Sequence, residues 1–424
     1  PITRTITEHT MKNPRSYRAD ASYEWKAVTL LALGFGLVSI DRFMIMPLFP
    51  VMMKDLNLNY QDLGLITGIL AVTWGISSLF MGKLSDRFGH RAIIVPAVIL
   101  FSLLAGFSGL ATGLLSLMLI RAVIGAAEGA YTPASIVATL DASKPSRHGL
   151  NLGIQQAAMP LFGLALAPIL VTQLLHVVAW HWVFALVMIP GLIVGFLLHK
   201  VLRNTDPNAA AEHTTTHDAT SHRWTDVFKS RNVPLNILGM MCWLTVLVVL
   251  GAFLPNYLLD YMGLSLEQMG YVLSAIGFGG AAGTILLPCL SDRIGRKPVM
   301  ILSVIGGVAS LYLLINTGAD TTRLFIFLFL TVFFDFGLIC LTVGPSTTES
   351  VPARLMSTAS GFVVGIGEIF GGGIAPSLAG YVAHNHGIQY TLLLAIGAMA
   401  AGLLITLAIK ETAPVRIASV LKTT

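Results

Sequence analysis

Runs of about 20 apolar residues follow one another along almost the whole chain, and they constrain its fold more than any other feature. Charged residues make up only 11% of the 424 residues and the mean hydropathy is +0.77, whereas charged residues are about a quarter of a soluble domain. The sequence therefore predicts an all-α polytopic membrane protein with 12 transmembrane helices. The predicted spans, numbered one to twelve, cover roughly residues 27–50, 62–82, 92–112, 115–140, 149–175, 180–199, 234–258, 267–288, 298–317, 323–347, 357–383 and 389–409.

An even number of spans places both termini on the same side of the membrane. With that side as the cytoplasm, all but four of the 26 Lys and Arg residues fall in cytoplasmic segments: Lys54 and Arg323 lie outside, and Arg42 and Arg121 lie within spans. This distribution follows the positive-inside rule. No cleaved signal peptide is expected, so the sequence predicts a multi-pass protein of the cell inner membrane with both termini in the cytoplasm.

The two halves of the chain repeat each other. The segment GKLSDRFGHR at Gly82 to Arg91 recurs as PCLSDRIGRK at Pro288 to Lys297, and Gly64 and Gly270 keep the same spacing. Duplicated halves are typical of transporters that bind at the interface between repeats. We expect a cytoplasmic tail (1–26), an N-terminal six-helix bundle (27–200), a cytoplasmic linker (201–233), a C-terminal six-helix bundle (234–409) and a cytoplasmic tail (410–424).

The repeated segment resembles the signature loop of the major facilitator superfamily, and with twelve spans the resemblance covers nearly the whole chain. It implies two six-helix bundles in the fold of that superfamily. It also implies a gating loop that helps to hold the cytoplasmic side closed, against the alternative of static anchors between helices. The implied gating residues are Gly82, Asp86, Arg87, Arg91, Asp292 and Arg293.

Six ionisable residues lie within the spans: Asp41, Arg42, Arg121, Glu128, Asp335 and Glu368. Unpaired, they would cost on the order of 15 to 20 kcal/mol, so they are expected to be paired or hydrated. At about 1.5 Å per residue from the outer ends, Arg121 lies about 9 Å deep, Asp41 and Arg42 about 15 Å, and Glu128 about 20 Å. This order allows Asp41 to neutralise Arg121, and Glu128 to neutralise Arg42, until a substrate competes. A purely structural ion network is the alternative.

Ser39 to Met44 (SIDRFM), together with Arg121, Gly125 and Glu128 in span four, resemble the anion:cation symporter branch of the superfamily, which includes sugar-acid:proton symporters. The resemblance implies that Arg42 binds a substrate carboxylate and that Asp41 and Glu128 carry protons. Arg121 is expected to help hold the anion. Ser39 and Met44 stand where sugar-acid relatives commonly have Tyr and Asn, which favours a less hydroxylated acid. No histidine lies deep in a span, so proton transfer is expected to use carboxylates.

Several further residues keep two interpretations. Asp335 and Glu368 are either additional cavity acids or hydrogen-bonded structural acids, because the C-terminal spans hold no Arg or Lys to pair with them. Gln155 and Gln156 are either substrate donors or interhelical hydrogen-bonding groups. The glycines of span eleven, from Gly361 to Gly373, favour close helix packing over ligand contact.

The sequence thus predicts a proton-coupled symporter that takes up a small organic carboxylate anion by alternating access. It is not expected to be an enzyme or to bind nucleic acid, a metal or another cofactor, and it is expected to be a monomer in the lipid bilayer. The first alternative is a drug:proton antiporter, but span five has Gly163 and then Ala167 to Leu170 and lacks the G-P-x-x-G-G that these favour. The second is an organic-phosphate exchanger, which would place an Arg in span seven, where the sequence has none.

Overall fold

The computed structural model describes residues 21–144, 148–203, 224–352 and 355–413. The predicted tails up to residue 20 and from residue 414, and most of the linker (204–223), lie outside this part. The surroundings of Gly82 and the side chains of Asp86 and Arg87 also lie outside it, although the backbone of these three residues belongs to a helix. The gating interpretation of these three residues therefore stays a prediction.

Twelve helical spans are present in the described residues, which confirms the predicted fold class. The first helix begins at Ala21, within the segment assigned to the N-terminal tail. The assigned limits of the two bundles stay a prediction. Spans one to twelve are Ser22–Asp55, Tyr60–Met81, His90–Leu110, Leu114–Ala142, Gly153–Leu175, Trp180–Val201, Asn232–Tyr261, Leu266–Ile294, Arg296–Ile315, Thr321–Thr348, Ala359–His386 and Gln389–Ala408.

Half of the spans are single α-helices, and six of them are divided. Span three consists of the α-helix His90–Phe107 and a 3-10 turn, Ser108–Leu110. Span one consists of Ala21–Phe43 and Ile45–Asp55, separated at Met44. Pro47 contributes to this break because it has no N–H to donate to the carbonyl of Phe43. Span ten ends in a short helix, Pro345–Thr348, after Gly344. Spans five, seven and eleven contain π-helical stretches at Met159–Leu166, Tyr257–Tyr261 and Glu368–Ile374. Such stretches are frequent at functional sites.

The two ends of the helical bundle can be told apart by their contacts. At the end that carries the described chain termini, which we call the terminal end, Glu24 accepts hydrogen bonds from the backbone N–H of Lys144 and from Asn151. At the opposite end, which we call the distal end, two contacts join the N-terminal and C-terminal halves. Tyr60 donates to Asp260 at 2.8 Å, and His176 lies 3.6 Å from Glu267.

Glycine contacts bring the halves together towards the distal end. A Cβ on Gly64 in span two would overlap the carbonyl oxygen of Pro376 in span eleven. A Cβ on Gly270 in span eight would contact the side chain of Thr172 and the carbonyl oxygen of Pro168 in span five. These two glycines are the repeated pair of the sequence. The duplication therefore produces two matching seams, one between spans two and eleven and one between spans eight and five.

Buried apolar side chains form two clusters with different positions. One cluster unites the distal part of the N-terminal half, such as Phe49 and Leu63, with the C-terminal half. The other comprises the terminal part of the N-terminal half alone, such as Leu31 and Leu198. Apolar packing between the halves is therefore concentrated towards the distal end.

Candidate functional site

The candidate site is organised around Arg42, which lies one residue before the last residue of the first helix of span one. Arg42 is only 7% exposed although it carries a long charged side chain. Its Nη2 donates to Oε2 of Glu368 in span eleven at 2.7 Å. Its guanidinium also lies 5.5 Å from the ring centroid of Trp74 in span two and 5.4 Å from that of Phe43, which adds cation–π stabilisation.

The Arg42–Glu368 ion pair joins the two halves of the protein. Both side chains are 7% exposed. The predicted partner of Arg42, Glu128, does not hold this position, and Glu368 does have a cation to pair with. In the sequence analysis, a partner of Glu368 is sought only in the C-terminal half. In the fold, the π-helical stretch of span eleven packs against span two of the N-terminal half, beside span one.

Arg121 in span four is the second buried cation of the site and is 1% exposed. Its Nη1 donates to the backbone carbonyl oxygen of Asp41 at 2.6 Å, and its guanidinium lies 5.9 Å from the ring centroid of Phe184. The predicted contact is with the Asp41 carboxylate, whereas this hydrogen bond goes to the carbonyl. Asp41 lies in the last turn of a helix, where carbonyls are available to outside donors.

Two carboxyl groups near these arginines have oxygens without hydrogen-bond partners among the described residues. Neither oxygen of Glu128 accepts a hydrogen bond, and the same is true of Oδ1 of Asp41. Glu128 lies within electrostatic range of Asp41, Arg42 and Arg121. The structure thus brings together the four ionisable residues that the sequence analysis identifies within the spans of the N-terminal half.

The other predicted site residues lie in different surroundings. Asp335 in span ten is fully buried, and in the described part of the chain neither of its oxygens accepts a hydrogen bond. Gln155 donates to the hydroxyl of Ser135 in span four at 2.8 Å, so it makes an interhelical contact. Gln156 is half-buried, and its Nε2 has no partner among the described residues.

The described loop residues at the terminal end contact their own half. Arg91 donates to the backbone carbonyl of His199 at the end of span six. Asp292 accepts a hydrogen bond from Arg296, which also pairs with Glu349 at 2.8 Å. Arg293 is exposed. These contacts anchor neighbouring helices within one half, and a role in gating stays a prediction.

Two adjacent cavities lie beside the arginines, and Phe43 and Met46 line both of them. The first has room for about one water molecule and is lined by Arg42 and Arg121. Among the described residues, its only other polar side chain is Thr67, whose hydroxyl already donates to the carbonyl of Leu63 at 2.9 Å. The remaining lining consists of Gly372 and the side chains of Phe43, Ile45, Met46, Ile66, Leu70 and Val248.

The described residues that line the second cavity are all uncharged. It is lined by Gly163 and Gly251, and by the side chains of Phe43, Met46, Pro47, Leu164, Pro168, Leu273 and Ile276. The Ser39 hydroxyl donates to the carbonyl of Met159 at 2.6 Å and is fully buried, so it serves the packing of span one on span five. The region beyond the arginines is therefore apolar.

The sequence analysis does not identify the aromatic residues of the site. Trp74 and Phe184 look like ordinary apolar residues of spans two and six, and only the fold places them beside the buried guanidiniums. The described residues contain no group of three or more potential metal ligands. What the site contains is two cations, three carboxyl groups and an apolar surrounding, which suits the binding of an organic anion and the transfer of protons.

Comparison with known proteins places this geometry in a family. Residues 31–367 and 249–422 match the model of the Major Facilitator Superfamily. The chain is 28% identical over 373 residues to a probable 4-methylmuconolactone transporter of Cupriavidus pinatubonensis, covering 84% of this chain and 83% of the relative. It is 24% identical over 400 residues to a sialic acid transporter of Escherichia coli, covering 90% and 92%.

The fold is also similar to that of a solved transporter structure. A bacterial homologue of the human lysosomal transporter Spinster, in an inward-facing and occupied conformation, superimposes with a TM-score of 0.77 at 17% sequence identity. The match covers 91% of this chain and 97% of that one. The twelve spans and the family match over most of the chain lead to one conclusion: the chain belongs to the Major Facilitator Superfamily and is a transporter.

Proposed function

We propose that this protein is a proton-coupled symporter that takes up an organic carboxylate anion across the cell inner membrane by alternating access. Relatives named as transporters of 4-methylmuconolactone and of sialic acid support an organic acid as the substrate class. The observation that carries the proposal is the state of Arg42. This buried cation, at the contact between the halves, already holds a carboxylate, that of Glu368, at 2.7 Å.

Arg42 and Arg121 bind the substrate carboxylate in this proposal. Both guanidiniums line the same cavity, and guanidinium groups suit carboxylates because they offer two parallel N–H donors. Arg121 retains an Nε that donates to no acceptor among the described residues. A carboxylate that enters this cavity can therefore compete with Glu368 for Arg42 and approach Arg121 at the same time.

Asp41 and Glu128 carry the coupled protons. Both are buried beside the arginines and have carboxyl oxygens free of hydrogen bonds from the described residues. Bringing an additional anion into this poorly hydrated cluster is costly unless its charge is compensated. Protonation of a neighbouring carboxylate supplies that compensation, which links the binding of the acid to the uptake of protons.

The apolar surroundings favour an acid with few hydroxyl groups. A sugar acid would place several hydroxyls against side chains such as Met46, Ile66 and Val248, and each hydroxyl buried without a partner costs about 1–3 kcal/mol. An aromatic or otherwise apolar carboxylate would extend from the arginines towards the second cavity without this cost.

The contacts between the halves are consistent with one conformation of the transport cycle, in which the distal end is closed. The glycine seams and the Tyr60–Asp260 hydrogen bond join the halves towards the distal end. With both termini in the cytoplasm, this is the outer end, so substrate would be released on the side of the terminal end. Uptake from outside then requires the seams to separate and the terminal end to close.

Flux into proteoliposomes tests the proposal. We expect an inward proton gradient to drive accumulation of 4-methylmuconolactone or 3-hydroxybenzoate, with weaker accumulation of sialic acid or gluconate. Protein-free liposomes and the Arg42→Ala variant control for passive entry of the neutral acids. Accumulation that is equal with and without a proton gradient would contradict symport. Efflux of ethidium, or exchange of glycerol 3-phosphate, in place of acid uptake would support one of the two alternative functions.

A further inference from the structure

Glu368 occupies a special place in the candidate site. It is the first residue of a π-helical stretch, Glu368–Ile374, that contains three consecutive glycines. These glycines let the stretch pack closely: a Cβ on Gly371 would overlap the backbone of Met241, and one on Gly373 would press on Val72. The result is a carboxyl group from the C-terminal half that reaches a guanidinium on span one of the N-terminal half.

We propose that Glu368 is an internal competitor for the substrate, whose carboxylate holds Arg42 until Glu368 takes up a proton and yields this position to the substrate carboxylate. The inference rests on the proposed function, because it assigns to Glu368 the step that makes Arg42 available. It adds a third coupling residue, in the other half of the protein, to Asp41 and Glu128.

The exchange balances in charge and in protons. A proton from water binds one oxygen of the Glu368 carboxylate, the ion pair with Arg42 is lost, and the substrate carboxylate forms the ion pair instead. Arg42 pairs with one carboxylate both before and after the exchange. The net charge of the site is therefore unchanged, while one acid anion and one proton have entered it. Release of the acid reverses both changes: Glu368 loses its proton to water and pairs with Arg42 again.

The exchange also changes what joins the two halves. The ion pair links span one to span eleven directly, whereas a bound substrate makes contact with Arg42 on the N-terminal half and leaves Glu368 neutral. Because a neutral carboxyl group forms a weaker hydrogen bond with a guanidinium than a carboxylate does, loading the substrate loosens a direct connection between the halves. Binding and reorientation are coupled in this way.

Arg42 is the titratable group that contacts Glu368 directly, and other titratable groups lie on the surrounding elements. Among the described side chains, span two contributes none from Thr67 to Met81, and the part of span eleven before Glu368 contributes none. The remaining titratable or charged groups on the elements around it are Asp41 on span one, Arg121 and Glu128 on span four, Cys242 on span seven, Asp335 on span ten, and Tyr381, His384 and His386 near the distal end of span eleven.

Calorimetric binding to the purified full-length protein tests the inference. Wild type, Glu368→Gln and Glu368→Asp are titrated with 4-methylmuconolactone and with 3-hydroxybenzoate between about pH 5 and about pH 8, in buffers of different ionisation enthalpy. We expect Glu368→Gln to take up one proton fewer per acid bound. We also expect it to bind about tenfold more tightly than wild type at the alkaline end, because no carboxylate competes for Arg42. Glu368→Asp should retain the proton uptake of wild type.

A matched control comes from the distal end. Glu267→Gln also removes a carboxylate that pairs across the halves, here with His176 at the surface, and it should bind like wild type. If Glu368→Gln binds with wild-type proton uptake and pH dependence, the inference is wrong, and a lowered melting temperature would then assign the pair a structural role. If wild type binds neither acid, the proposed function fails and the inference fails with it.

Discussion

Arg42→Lys tests directly whether the site recognises a carboxylate or only requires a positive charge. Lysine keeps the charge but replaces the planar guanidinium by a compact ammonium. In the structure, the guanidinium serves two purposes at once, because it donates to Glu368 at 2.7 Å and lies over Trp74. An ammonium at this depth cannot present two parallel donors to a carboxylate while it also lies over the aromatic ring.

The size of the effect follows from these contacts. A hydrogen bond to a charged group contributes about 1.5–3 kcal/mol, and a cation–π contact of a desolvated cation adds about 2 kcal/mol. Loss of one charge-assisted hydrogen bond to the substrate would therefore raise the apparent dissociation constant about tenfold to about a hundredfold. Folding should be affected less, because lysine can still pair with Glu368.

Uptake into proteoliposomes at several acid concentrations measures the apparent affinity, with Arg323→Lys as the control. Arg323 is exposed and pairs locally with Asp320 in the described part of the chain, so its replacement should leave uptake unchanged. Melting temperatures of both variants show whether they remain folded. An unchanged apparent affinity in Arg42→Lys would refute the assignment of Arg42 as the carboxylate ligand.

Three further predictions concern proton coupling, charge movement and the seams. Glu128→Gln resembles the protonated acid, so it should retain substrate counterflow but lose proton-driven accumulation; loss of both with a lower melting temperature would instead indicate a structural counter-ion. Two protons per monovalent acid, as the pair Asp41 and Glu128 suggests, bring in one positive charge per cycle, which gains about 2.3 kcal/mol per 100 mV, and a third proton on Glu368 would bring in a second charge. In either case a potential that is negative inside should stimulate uptake at constant pH gradient. If uptake does not change with the membrane potential, a count of two protons per acid is excluded. Gly277→Val would overlap Ala165 and the carbonyl of Pro160 and should destabilise the protein by about 1–3 kcal/mol, whereas Gly397→Val, which has open space around it, should not; equal melting temperatures would contradict the packing argument.

The fold could be predicted from the sequence because a bilayer restricts its proteins to few solutions. Each helix must be long and apolar enough to cross, so hydropathy alone locates the spans. The predicted fourth span, 115–140, differs from the observed Leu114–Ala142 by one residue at its start and two at its end. The π-helical stretches could not be predicted, since hydropathy and periodicity do not distinguish their i→i+5 hydrogen bonds from those of an α-helix.

The site was only partly accessible to the same reasoning. The expense of a buried charge identifies Arg42, Arg121, Asp41 and Glu128 as a group, and the fold brings them together. The ion pair between the two halves could not be predicted from the sequence. Hydropathy and spacing say which residues share a helix, but they do not say that Glu368 of span eleven lies beside span one.

The two glycine seams have a consequence for how easily the halves can part. Where glycines such as Gly64, Gly68 and Gly277 meet backbone atoms of the facing span, the contact surfaces are smooth. The side chains that cross the seams at these points are small, such as Ser377, whose hydroxyl donates to the carbonyl of Gly64 at 3.3 Å. Separating interlocked side chains requires each to leave its rotamer, whereas smooth surfaces can part or slide with their rotamers unchanged. The seams can therefore be tight enough to exclude water and still open with little mechanical resistance. Because duplication gives both seams the same construction, both offer similarly low resistance.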